Sequence, residues 1–235
     1  MPAVRPMLRS VKVHAAAVIE QGSLRAVSRP ENAQPGRRLT PRGAATRARI
    51  VAAAVELMYV KGANATTLDD VRAASNTSKS QLYNHFPDKE DLVRAVVAAR
   101  AAQVLERERG NLQRLKSFRG LVRWRDALVQ RNALRKGAYG CALGSLANEL
   151  ADQDDEARTT LAKSFAEWEG LLTAGLRRMR ESGVLRPEAD PEKLATGLMA
   201  ALQGGYLLAE TAHDIKPMEI ALDMALDHVK SFLAA

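Results

Sequence analysis

The stretch Thr66–Leu92, TTLDDVRAASNTSKSQLYNHFPDKEDL, decides how this chain is read. Its apolar residues recur at helical rather than strand spacing. Thr66 or Thr67 can cap a helix running through Leu68, Val71 and Ala74. Ser75-Asn76-Thr77 makes a tight break, and Ser78 can cap a further helix that ends before Pro87. Asn76 suits the break, because its short polar side chain tolerates a left-handed backbone better than most residues with a Cβ. Leu68, Val71, Ala74, Leu82 and Phe86 are the positions where the two short helices pack on each other and on the helix before them. Two short helices joined by a tight turn form the helix-turn-helix, whose second member enters the major groove of DNA.

The outer face of that second helix carries Lys79, Ser80, Gln81 and Asn84. Gln and Asn pair with adenine in the major groove, and Lys reaches guanine acceptors. Tyr83, His85 and Lys89 flank these residues and can donate to phosphates. Thr66 and Thr67, at a helix start, can add hydroxyl and backbone N–H donors.

SKSQLYNHFPDKEDL resembles the signature of the TetR family of bacterial transcriptional regulators. Ser78, Lys79, Leu82, Tyr83, His85, Phe86, Lys89 and Leu92 fall in its register, and the resemblance spans residues 45–92. Two positions depart from the pattern: Asn76 stands where the family usually has Gly, and Thr77 where it usually has Val. The resemblance implies phosphate contacts for Thr67, Tyr83, His85 and Lys89. It implies base contacts for Lys79, Ser80, Gln81 and Asn84, with Ser78 opening the motif. It also implies double-stranded operator DNA as partner, a homodimer and a small-molecule effector.

Working outward, the N-terminal side is basic. The formal net charge of +8 is carried wholly by residues 1–49, which hold ten Lys/Arg and two Glu. Basic arms steer proteins to polyanions. Residues 1–40 show no sustained periodicity and read as a disordered arm, with Met7 as an alternative start. Arg42 and Arg47 follow it within reach of DNA. An ordered helix begins at Thr40-Pro41 and Gly62 stops it. The helix-turn-helix domain is placed at 41–92 and a second, helical domain at 93–235.

In the second domain Asp88 opens a helix through Leu92, Val96 and Leu105, and helical stretches follow at 118–134, 141–151, 154–182, 190–212 and 217–233. Leu161, Phe165, Trp168, Leu172, Leu176 and Met179 form one apolar face. GCALGSLANELAD and ALQGGYLLAETAHD resemble the LmrA-type drug-responsive branch of the family, over residues 139–233. The fold class is therefore all-α: a three-helix DNA-binding domain and a helical ligand-binding and dimerisation domain. Leu194, Leu198, Leu202, Met218, Leu222, Ala225, Val229 and Phe232, with Leu207, Ile220 and Met224, are assigned to the dimer face. A ligand cavity is expected between the 118–134, 141–151 and 154–182 helices. Its wall is assigned to Trp124, Phe165, Trp168, Met199 and Tyr206, with Gln203 or Glu149 as the polar contact for a largely apolar ligand.

Catalytic, metal and cofactor chemistry find no foothold. His14, His85, His213 and His228 are scattered, and no Gly-rich phosphate loop is present. Cys141 is the only cysteine, which fits a reducing cytoplasm, and no run is long and apolar enough for a membrane helix. Cys141 precedes a helix, where a thiolate is favoured, although a buried structural thiol is the commoner case. Two readings stay open beside a remote enzyme reading: a ligand-released repressor, and a constitutive DNA-binding protein without a sensor.

Overall fold

Most of the helices start where a side chain supplies the hydrogen bonds that the first turn lacks. In the computed structural model, which describes residues 39–134, 137–138 and 140–234, Thr40 caps α1 (Pro41–Lys61). Thr67 caps α2 (Leu68–Ser75), Ser78 caps α3 (Lys79–His85) and Asp88 caps α4 (Lys89–Leu112). Ser117 caps α5 (Phe118–Ala133), while Cys141 precedes α6 (Ala142–Leu150) without a side-chain cap. Asp154 caps α7 (Asp155–Glu181) and Asp190 caps α8 (Pro191–Ala212). Ile215 precedes α9 (Lys216–Lys230). No strand forms among the described residues; one isolated bridge pairs Leu185 with Leu233. The basic arm expected at 1–40 lies outside the described residues up to Arg38.

α1 packs on α2, α3 and α4 around Ile50, Ala54, Val71, Leu82 and Phe86, all buried. This is the helix-turn-helix bundle. Ala74 corrects the sequence reading. It is exposed, and Ser75 and Thr77 are buried in its stead, their hydroxyls 2.9 Å apart. The turn therefore carries a small satisfied polar pair where an alanine contact was expected.

α4 continues into the second domain and packs along α7 and α6; α7 packs on α8, and α8 on α9. Gly205 permits the α8–α9 approach, because a Cβ there would lie 2.9 Å from Met218 Cα. Leu194, Leu198, Leu202, Met218, Leu222 and Val229 are buried within this one chain, so their apolar character is already accounted for. Leu207, Leu208, Ile220 and Met224 remain 55%, 57%, 57% and 69% exposed. Among the described residues, no helix is long and apolar enough to cross a membrane.

Candidate nucleic-acid interface and effector pocket

α2 and α3 are short, and their caps hold them. Thr67 Oγ1 accepts from Asp70 N (3.1 Å), and Thr67 N donates to Asp70 Oδ2 (3.0 Å). The Thr67 backbone N–H, then the Thr67 hydroxyl, and after them Lys61 hold the Asp70 carboxyl below its usual range. Ser78 and Gln81 repeat the exchange on α3, at 3.1 and 2.9 Å. Asn76 takes the left-handed conformation the break requires, with φ 50° and ψ 51°.

With Leu82 and Phe86 turned into the bundle, α3 leaves Lys79, Ser80, Gln81, Tyr83 and Asn84 exposed. Tyr83 is 44% exposed, so its ring serves the surface rather than the core. The Lys79 ammonium lies 5.9 Å from that ring. His85 is half-buried at the end of α3. Arg42 is exposed on the first turn of α1, and Arg47 stacks over Phe86 at 5.0 Å.

Three side chains do more than their sequence positions declared. Thr66 is buried, its hydroxyl donating to Gly62 O at 2.8 Å, so it is withdrawn from the surface. Lys89 Nζ donates to Asn64 O at 2.8 Å and ties α4 to the α1–α2 loop. Gln81 Oε1 is engaged by Ser78 N, which leaves its amide N–H donors for a base edge and removes the bidentate pairing with adenine while the box is closed.

The largest cavity beside α6 has a volume of about 340 Å³ and lies between α6 and α8, with Phe165 of α7 on its wall. Tyr206, Gln203, Cys141 and Leu207 also line it. Phe165, Gln203 and Tyr206 are thus brought together as the sequence placed them, but α5 contributes no wall. Trp124 of α5 is buried elsewhere and donates to Glu108 Oε2 at 3.0 Å. Met199 is buried against the core and lines no part of this cavity. Glu149 faces the DNA-binding domain instead, its Oε2 accepting from Asn64 N at 2.9 Å. Trp168 lines a separate, smaller recess of about 110 Å³ that shares Cys141 and Tyr206 with the larger one. Burial pushes the Cys141 thiol up, outweighing the favourable amides at the start of α6, so it stays a neutral thiol.

A helix-turn-helix on a helical body is also what comparison with known proteins finds. Residues 50–96 match the family model described as bacterial regulatory proteins, tetR family. Residues 112–225 match the tetracyclin repressor-like C-terminal domain. The chain belongs to the TetR family of transcriptional regulators. It is 25% identical over 191 residues to the HTH-type transcriptional repressor DhaR of Mycobacterium sp. (strain GP1), covering 77% of this chain and 90% of that protein. The HTH-type transcriptional regulator LmrA of Bacillus subtilis is 23% identical over 175 residues, covering 74% and 90%. The crystal structure of a TetR regulator from Chloroflexus aurantiacus superposes with a TM-score of 0.72 at 26% identity, covering 83% of this chain and 98% of that one.

The arginines around the smaller recess escaped the sequence reading. Arg100 and Arg107 stand seven residues apart on α4, hence on one face, and Arg131 of α5 meets them. The i, i+7 spacing of two arginines was a visible signal. The long-range partner on α5 was not.

Proposed function

We propose that this TetR regulator is a repressor that binds a palindromic operator as a homodimer and releases it when a small molecule enters the cavity beside α6. The observation that carries the reading is α3 itself: a helix fixed at its start by the Ser78–Gln81 capping box, buried through Leu82 and exposed through Lys79, Ser80, Tyr83 and Asn84. Lys79, Ser80, Asn84 and the amide N–H of Gln81 read base edges. Thr67, Ser78, Tyr83, His85 and Lys89 hold phosphates, as do Arg42 and Arg47 beside them. That the relative DhaR is a transcriptional repressor supports the sign of regulation.

The exposed Leu207, Leu208, Ile220 and Met224 on α8 and α9 give the twofold interface its apolar centre. Sedimentation at micromolar concentration checks this, and a monomer there rules the interface out. The arm at 1–40 adds sequence-independent affinity, so deleting residues 1–36 flattens the dependence of binding on salt. The competing reading, a constitutive binder, has the presence of the 340 Å³ cavity against it. Release is tested by titrating a fluorescent operator duplex with protein, with and without a panel of small metabolites. If no compound shifts the curve, the constitutive binder stands.

A further inference from the structure

We infer that the hollow at the α4–α5 turn binds a small anion carrying linked phosphate groups, apart from both the operator surface and the effector cavity. The hollow has a volume of about 360 Å³, within the range of small-ligand sites. Arg114, Lys116, Ser117 and Arg123 line it, with Asn111 and Trp124.

Its charge is written locally in the sequence. Residues 114–123, RLKSFRGLVR, hold four cations and no acid. Leu115 and Leu121 take the inward positions, which leaves Arg114, Lys116, Arg119 and Arg123 exposed. Arg119 and Arg123 are four residues apart on α5, hence on one face. A fifth cation fixes the turn from behind: Arg178 of α7 donates through Nε to Leu115 O at 2.9 Å and through Nη2 to Leu112 O at 3.2 Å.

Neighbouring acids do not neutralise this group. Arg109 takes Glu106 and Glu167, and Arg125 takes Asp126. Glu108, which accepts from Trp124 behind the wall, is wholly buried and takes Arg107. Glu181, the last residue of α7, forms no ion pair with Arg178 among the described residues. Arginines elsewhere on the body are engaged: Arg94, Arg109, Arg125, Arg158 and Arg177 meet carboxylates, and Arg180 and Arg186 donate to backbone carbonyls. Lysines without a carboxylate, such as Lys163 and Lys216, stand far apart in sequence.

The turn therefore resembles the operator surface, where Arg42 and Lys79 are likewise exposed without a carboxylate. Like charges side by side repel, and a hollow lined by one sign of charge concentrates its field on an incoming counter-charge. The forked guanidinium matches phosphate oxygens in pairs, and Lys116 adds a point charge. Two linked phosphates present enough acceptors for Arg114, Lys116 and Arg123 together, and a lone carboxylate does not. The operator itself does not supply these phosphates. The 24 residues of α4 span about 36 Å, with the helix-turn-helix at one end and the hollow at the other.

The experiment titrates the full chain calorimetrically, at constant ionic strength, with inorganic phosphate, pyrophosphate, tripolyphosphate and citrate. Citrate supplies several negative charges without phosphorus. Pyrophosphate and tripolyphosphate bind saturably, and phosphate and citrate bind more weakly. Arg114→Gln combined with Arg123→Gln weakens pyrophosphate at least about tenfold, as loss of charge-assisted bonds requires. The same pair changed to lysine recovers part of the loss. Both glutamine and lysine pairs keep the parent's melting temperature and operator affinity, because the two side chains are exposed and lie away from α3. Arg42→Gln combined with Lys79→Gln weakens the operator and leaves pyrophosphate binding intact. No saturable binding, equal binding of citrate and pyrophosphate, or an undiminished affinity in the Arg114→Gln, Arg123→Gln protein overturns the site. Loss of pyrophosphate binding in the Arg42→Gln, Lys79→Gln protein alone assigns the anion to the operator surface and overturns it as well. If the Arg114→Gln, Arg123→Gln protein loses affinity for scrambled duplex and not for pyrophosphate, the turn meets a second stretch of DNA and the small-anion site is removed.

Discussion

The recognition helix and the arginine recess are both polar surfaces, and they are built in opposite ways. α3 gathers its functional side chains from seven consecutive residues, held by a cap one residue upstream. The recess draws its wall from α1, α4, α5, α7 and α8 and from the approach to α6, residues as far apart as Tyr59 and Tyr206. A local site can be altered one residue at a time without loss of the fold. A site assembled from several elements resists that, because most of its wall residues are also packing residues; Gln103 and Arg107 are the exposed exceptions. Variants that separate function from folding should therefore be common on α3 and rare around the recess.

The largest expected effect sharpens that contrast at the foot of α3. Phe86 is 2% exposed and closes the bundle beneath Arg47. Phe86→Ala removes a fully buried aromatic and should cost about 3–5 kcal/mol. Urea unfolding followed by circular dichroism measures it, together with loss of operator binding. A cost under about 1 kcal/mol would mean that α3 is not anchored by Phe86.

On the exposed side of the same helix the effects are smaller and change in kind. Asn84→Ala should alter base preference by about 1–3 kcal/mol, and Gln81→Ala, whose oxygen is held in the capping box, should alter it by less. Tyr83→Phe and Lys89→Ala should weaken specific and scrambled duplexes alike, because phosphates carry no sequence information. Gln81→Ala also opens the capping box, so its loss should divide between affinity and stability. Uniform loss of affinity in both Gln81→Ala and Asn84→Ala would overturn the division of roles.

This contrast also explains what the sequence made legible. Capping residues, Pro87, Gly62 and the apolar period mark helix ends locally, and the helix boundaries read from them agree with the structure to within about three residues. Asn76 was readable because a single residue's chemistry dictates its backbone. Ala74 was not, since whether Ala74 or Ser75 turns inward depends on how α2 rolls against α1. Glu149 was placed in the cavity because a carboxylate on an apolar helix looks like a ligand contact. Its partner, the Asn64 backbone, lies 85 positions away in sequence. Trp124 and Trp168 were grouped by size, and only the folded chain divides them between Glu108 and the recess.

A third prediction tests the frame that joins the two regions. Asp154 caps α7 through Glu156 N and Ala157 N, both at 2.9 Å, and takes Arg94 of α4 at 3.0 Å. The Ala157 N–H, against an opposing effect of burial and with help from Arg94, holds its carboxyl below the ordinary 3.8. A carboxyl lowered in the folded state stabilises the protein above the unfolded value and loses that contribution as pH falls through the folded one. Asparagine caps as well as aspartate, so Asp154→Asn removes only the charge at the helix start and beside Arg94, and should cost about 0.3–1 kcal/mol at neutral pH. The gap to the parent should close on acidification below 3.8. A gap unchanged with pH would show that the charge contributes nothing.

The smallest effect bears on the turn between α2 and α3, where the chain departs from the family's usual glycine. Asn76 holds φ 50° with a Cβ present, and its backbone N–H reaches back to Ala73 O and Arg72 O. Glycine removes the steric cost of that conformation but gives the unfolded chain more freedom, and the two effects oppose. Asn76→Gly should change stability by no more than about 0.5 kcal/mol in either direction. Asn76→Ala keeps the Cβ and loses the polar group that eases the left-handed backbone, so it should cost about 1 kcal/mol. Operator affinity should follow stability in both, since neither substitution touches α3's outer face. Chemical unfolding of the three proteins side by side decides it. An alanine variant as stable as the parent would mean that the turn relaxes out of the left-handed region in solution, and that α2 and α3 are held at their angle by Ser75, Thr77 and Leu82 instead.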